Sequence, residues 1–116
     1  MPLLITRDDS GPQAVLVVDG DLDLAGAPDL IGEALALIDA GVRDVVIDAG
    51  AIGFCDSSGL SAFVRIANRL RDDGGHLAIA APSANLRRIL EVTGLIEAFI
   101  VVDAVPDAIA RLNAVG

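Results

Sequence analysis

Short apolar runs alternate along the chain with segments whose apolar residues recur every three or four positions, and that alternation sets the expected order of elements. Leu3-Leu4-Ile5-Thr6 reads as a short strand and residues 14–18 as a second. Asp8-Asp9-Ser10-Gly11-Pro12 turns between them, so the two are expected to pair as a hairpin. Gly20-Asp21-Leu22-Asp23 ends the second strand. A helix enters at Pro28, carries Leu30, Ile31, Ala34, Leu35 and Ile38 at helical spacing, and closes at Gly41. Val45-Val46-Ile47 is too short and too β-branched for a helix and is expected as a buried strand. A short loop follows it and opens a second helix near Asp56-Ser57-Ser58-Gly59. Leu60, Phe63, Val64, Ala67 and Leu70 stripe that helix, with Arg65, Arg69, Arg71 and Asp72 largely off the stripe and Gly74-Gly75 at its end. Residues 77–80 form another strand. Ser83 then caps a helix bearing Leu86, Ile89, Leu90 and Thr93, which stops at Gly94. Residues 99–102 are the last strand, and residues 107–112, entered by Pro106, a short terminal helix.

The order β-β-α-β-α-β-α-β-α separates strands by crossover helices. The expected fold class is therefore α/β, with a small mixed, mainly parallel sheet and one antiparallel hairpin. At 116 residues the chain is expected to be one domain, residues 1–116, because a second would have no core of its own.

Composition narrows the chemistry. Seventeen acids against eight bases give a formal net charge of −9. Such a surface repels phosphate backbones and anionic lipid, so neither nucleic acid nor a membrane is expected as a partner. All the bases are Arg, which removes the lysines of phosphate loops, Schiff bases and lysine general bases. His76 and Cys55 are single, which excludes multi-histidine metal sites, intrachain disulfides and zinc-finger clusters. Charges, Gly or Pro interrupt every apolar run well short of about 18 residues, and Met1-Pro2-Leu3-Leu4 lacks the features of a signal peptide. A compact, acidic, soluble, cytoplasmic domain without a cofactor is expected.

The informative segment is Val45-Val46-Ile47-Asp48 followed by Phe54-Cys55-Asp56-Ser57-Ser58-Gly59-Leu60. It lies where a buried strand gives way to a helix, and the C-terminal ends of such strands are common functional positions. The first helical amides are unpaired and carry partial positive charge. Ser57, or Asp56, is the natural cap for them. With Ser57 as cap, Ser58 becomes the first helical residue, its hydroxyl is not needed by the fold, and Gly59 leaves the approach to it open. A phosphoryl group on Ser58 would add roughly −1.5 to −2 charge at a surface that a partner must cover.

Gly20-Asp21-Leu22-Asp23 can reach the same end of the sheet, giving Asp21, Asp23 and Asp56 as an acidic rim. The rim reads either as a docking surface or as ordinary turn and cap aspartates; nothing in its spacing demands Mg²⁺. A Ser58/His76/Asp hydrolase triad is disfavoured, because His76 sits at the N-terminal end of a strand and the ends of even a five-residue strand are about 17 Å apart. Cys55 abuts Asp56, whose charge raises a thiol pKa, so it reads as a packing residue. Arg65 and Arg69 read as solubilising groups or as pairs for a partner's acids.

These residues resemble the STAS-domain family, in particular the bacterial anti-sigma factor antagonists. Gly20-Asp21-Leu22-Asp23-Leu24, Val45-Val46-Ile47-Asp48 and Phe54-Cys55-Asp56-Ser57-Ser58-Gly59-Leu60 carry the resemblance, together with Leu86-Arg87-Arg88-Ile89-Leu90-Glu91-Val92-Thr93-Gly94-Leu95. It covers nearly the whole chain in order; Asp21 departs from it, since the family more often has Glu there. The resemblance implies helices packed largely on one side of the sheet and a phosphoacceptor at Ser58. It implies partner contacts at Asp23, Asp56, Ser57 and Gly59. It also implies an anti-sigma factor that is an ATP-dependent serine kinase and a PP2C-type phosphatase as partners. The unphosphorylated form would bind the anti-sigma factor and free the sigma factor; phosphorylation would end binding. Two alternatives remain: a non-phosphorylated STAS subunit on the ATPase of an ABC transporter, and a serine hydrolase.

Overall fold

Residues 2–8 and 13–115 are described by the computed structural model. The elements are β1 (Leu4–Asp8), β2 (Ala14–Leu22), α1 (Ala27–Asp39), β3 (Asp44–Cys55), α2 (Ser57–Asp72) and β4 (His76–Ala80). They continue with α3 (Ala84–Val92), a 3-10 turn (Leu95–Glu97), β5 (Ile100–Val102) and α4 (Val105–Val115). One five-stranded sheet runs in the order β1-β2-β3-β4-β5. β1 pairs antiparallel with β2 as the expected hairpin; all other pairs are parallel.

Sequential order has a packing consequence. Each parallel step needs a crossover, and crossovers of one hand between adjacent strands stay on one face. Strand alternation then sorts the side chains. Leu16, Val18, Val45, Ile47, Leu77 and Ile79 meet the buried faces of α1, α2 and α3, including Leu30, Phe63, Ile66 and Leu90. Phe63 and Phe99 close this core edge to face, their ring centres 6.2 Å apart. Val15, Val46, Ala78 and Ala80 point to the other face, which Ala108 and Leu112 of α4 cover. The helices therefore lie largely on one side, as the family resemblance implies. The buried Gln13 donates to Asn113 Oδ1 at 2.6 Å and ties α4 to the start of β2.

Several boundaries differ from expectation. Asp8 ends β1 and is not in a turn; residues 9–12 of the expected turn lie outside the described residues. β2 continues to Leu22, and β3 continues to Cys55, where a loop was expected. The two strands support each other there through backbone pairing: Gly20 lies opposite Ile52, Asp21 opposite Phe54 and Leu22 opposite Cys55. Register shifts between Val17 and Asp19 and between Gly20 and Asp21 let polar residues and glycines stay in the ladder. The last strand is one residue shorter than expected, starting at Ile100, and α4 is longer at both ends.

Candidate functional site

Asp56 is the corner between β3 and α2. Its backbone is still extended (φ −102°, ψ −169°). Its amide donates to the Leu22 carbonyl at 3.3 Å, which ties the corner to the end of β2. Its Oδ1 accepts from the amides of Ser58 at 2.8 Å and Gly59 at 3.2 Å. Asp56 is thus the cap, Ser57 the first helical residue and Ser58 the second. The expectation that Ser57 caps α2 is corrected. Because β3 stays paired through Cys55, the extended residue that precedes the helix is Asp56.

The two serines differ in setting. Ser57 is exposed, whereas Ser58 is half-buried. Among the described residues the Ser58 hydroxyl makes no hydrogen bond, and no buried side-chain polar atom lacks a partner, so that hydroxyl reaches solvent. Gly59 is buried; it does not clear an approach to Ser58. A β-carbon there would lie 2.7 Å from both Cys55 Sγ and the Leu22 carbonyl oxygen. The glycine lets the first turn of α2 sit directly on the ends of β2 and β3. Gly59 therefore acts on the site by position and offers a partner no side chain.

Asp21 and Asp23 do come to this end of the sheet. Asp23 Oδ1 accepts from the amides of Ala25 at 3.1 Å and Gly26 at 3.0 Å, turning the chain into α1. Asp23 and Asp56 each use one carboxylate oxygen in this way, and among the described residues the second oxygen of each has no protein partner. Among the described residues no three His, Cys, Asp or Glu side chains are grouped to hold a metal ion. Two apolar side chains of the motifs, given no role by the sequence reading beyond the resemblance, lie beside these carboxylates: Leu24, 77% exposed, follows Asp23, and Phe54, 56% exposed, lies opposite Asp21. Phe54 was expected in a loop; its place at the end of a paired strand gives it a fixed outward position.

Cys55 packs beneath the corner, its thiol donating weakly to the Asp56 carbonyl at 3.7 Å. Burial first, and the Asp56 charge second, push this thiol up to about 11. The sequence reading named only the carboxylate; burial is the larger cause. His76 opens β4 beside Asp44, with Nδ1 3.3 Å from Asp44 Oδ1. Asp44 begins β3 and Cys55 ends it, so His76 and Ser58 stand at opposite ends of the sheet and form no triad. Arg69 forms an exposed ion pair with Asp39 of α1 at 2.8 Å. Arg65 is exposed and has no ion-pair partner among the described residues. No helix among the described residues is long and apolar enough to cross a membrane.

Comparisons with known proteins bear on the family and the fold. The family model described as "Mlab, STAS domain" matches residues 5–112. The anti-sigma-B factor antagonist of Staphylococcus aureus is 31% identical over 78 residues, spanning 67% of this chain and 72% of that protein. Among solved structures, an anti-sigma factor antagonist from Mycobacterium paratuberculosis superposes with a TM-score of 0.87 at 25% identity, covering 96% of this chain and 94% of the other. The phosphorylated form of the Bacillus cell fate determinant SpoIIAA superposes with a TM-score of 0.75 at 19% identity, covering 93% and 98%.

Proposed function

We propose, since the chain belongs to the STAS-domain family of anti-sigma factor antagonists, that it is a cytoplasmic binding protein switched by phosphorylation of Ser58. In the unphosphorylated state it docks on an anti-sigma factor and frees the sigma factor that the partner held. The partner is also a serine kinase. Ser58 Oγ attacks the γ-phosphorus of ATP, the bond from that phosphorus to the ADP oxygen breaks, and the hydroxyl proton passes to a base on the kinase. The kinase brings nucleotide, metal and base, so this chain needs no catalytic group or cofactor of its own. A PP2C-type phosphatase hydrolyses the phosphoester and restores binding.

The observation that carries this reading is the Ser58 hydroxyl, held on the first turn of α2 yet bonded to nothing in the described chain. The amides of Ser58 and Gly59, which would otherwise favour an anion, are already taken by the Asp56 carboxylate. A phosphate at Ser58 therefore adds its charge next to an existing negative charge. At an interface, that sets like charges against each other and desolvates both. The relative named anti-sigma-B factor antagonist supports the role. That SpoIIAA exists in a phosphorylated form supports the compatibility of this fold with the modification.

Calorimetric titration of an anti-sigma kinase from the same genome with wild type and Ser58→Asp tests the switch. Wild type binds and Ser58→Asp binds at least about tenfold more weakly, a loss of about 1.4 kcal/mol. Equal affinity of the two contradicts electrostatic blocking. Tight binding to the ATPase of an ABC transporter, with no phosphate ever transferred, would instead favour a structural STAS subunit.

A further inference from the structure

Leu95, which follows the Thr93-Gly94 turn, forms one wall of an apolar groove that Ser57 also lines. Thr93 Oγ1 donates to the Ile89 carbonyl at 2.7 Å and accepts weakly from the Leu95 amide at 3.4 Å. Gly94, at φ +78°, supplies the left-handed turn that takes the chain out of α3. Leu95 is thereby brought against α2. The groove holds about 480 Å³. Half-buried Leu60, Val64 and Leu95 form its apolar lining, and exposed Ser57, Arg65 and Asn68 its polar edge. Since Ser57 is part of it, the groove is continuous with the Ser58 turn.

Its charge is the reverse of the rest of this end of the molecule. The chain carries seventeen acids, yet none lines the groove. The only charged group there, Arg65, has no ion-pair partner among the described residues. The acidic rim of Asp21, Asp23 and Asp56 suits a basic surface, whereas the groove suits an apolar side chain next to a carboxylate and opposes a basic one. We propose that the groove receives a segment of the anti-sigma kinase carrying an apolar residue and an adjacent Asp or Glu. This rests on the function proposed above and adds to it a second, oppositely charged contact. Two contacts of opposite sign fix the orientation of docking, because a partner rotated about Ser58 meets like charge at both.

The test uses the purified anti-sigma kinase that transfers phosphate to Ser58, titrated with wild type, Arg65→Glu, Arg88→Glu and Val64→Ser. Arg88 is exposed on α3, outside the groove, and its reversal changes net charge as much as that of Arg65. Arg65→Glu weakens binding about tenfold or more, Val64→Ser severalfold and Arg88→Glu less than about twofold, with circular dichroism and Tm of both arginine variants unchanged. Equal losses from the two arginine variants would mean bulk charge and overturn the groove; no loss from Arg65→Glu overturns it too. Sedimentation of the free chain decides a third case: a wild-type dimer dissolved by Arg65→Glu makes the occupant a second copy and overturns the proposal. A wild type that neither binds nor takes phosphate from any anti-sigma kinase of its genome removes the function reading itself, and this inference with it.

Discussion

Gly59 and Cys55 meet where the last strand residue lies under the first helical turn, with room for no atom between them: a β-carbon on Gly59 would stand 2.7 Å from the sulfur. It would stand equally close to the Leu22 carbonyl oxygen, a backbone atom that cannot rotate away. Replacing a helical glycine by alanine ordinarily gains about 0.5–1 kcal/mol. Overpacking of this kind costs about 1–3 kcal/mol. Steric strain therefore wins, and Gly59→Ala lowers Tm by several degrees. It also shifts Ser58 from its place and slows phosphate uptake. A melting temperature at or above wild type would show that the turn has slack the geometry denies.

Asp56 holds two separable properties, a cap and a charge. Asp56→Ala removes the acceptor of the Ser58 and Gly59 amides and should cost about 1 kcal/mol in chemical denaturation. Asp56→Asn retains an acceptor oxygen and should keep most of that stability. It nevertheless removes a rim charge, so its binding to the kinase falls and becomes less sensitive to salt. If Asn binds as wild type does under all ionic strengths, the carboxylate is a cap alone.

The Cys55 thiol is protonated across the physiological range, because its pKa is raised to about 11. Alkylation by iodoacetamide in the folded protein should be slow at pH 8 and accelerate only as pH approaches 11. The sign for stability follows from linkage. Below pH 9, the ordinary value, the thiol is protonated in both folded and unfolded chains and contributes no pH dependence. Between 9 and 11 the unfolded chain loses the proton first, so stability falls as pH rises through that window. Rapid alkylation of the native protein at pH 8 would contradict the burial of this thiol.

Helices and core strands were legible because their signals are local. Helical spacing of Leu30, Ala34 and Ile38, or the Ser83 cap, whose Oγ accepts from the Leu86 amide at 3.1 Å, needs no knowledge of distant residues. The ends of β2 and β3 were not legible. Asp19 to Leu22 and Ala51 to Cys55 pair with each other, and the Asp, Gly and Ala residues among them carry no local β signal. That missed pairing also left the cap open between two residues, since Ser57 and Asp56 are both good capping residues and only the length of β3 chooses between them. The stability consequence is measurable. Ser57→Ala should change stability by less than about 0.5 kcal/mol, as for an exposed surface residue, whereas Ser83→Ala should cost about 1 kcal/mol.

The identity of the modified oxygen is tested most directly by intact-mass spectrometry after incubation with ATP and the anti-sigma kinase. Wild type and Ser57→Ala should each gain a single phosphate, and Ser58→Ala none. Phosphate on Ser58→Ala, or a wild type that stays unmodified while the kinase phosphorylates its own known substrate, would contradict the account.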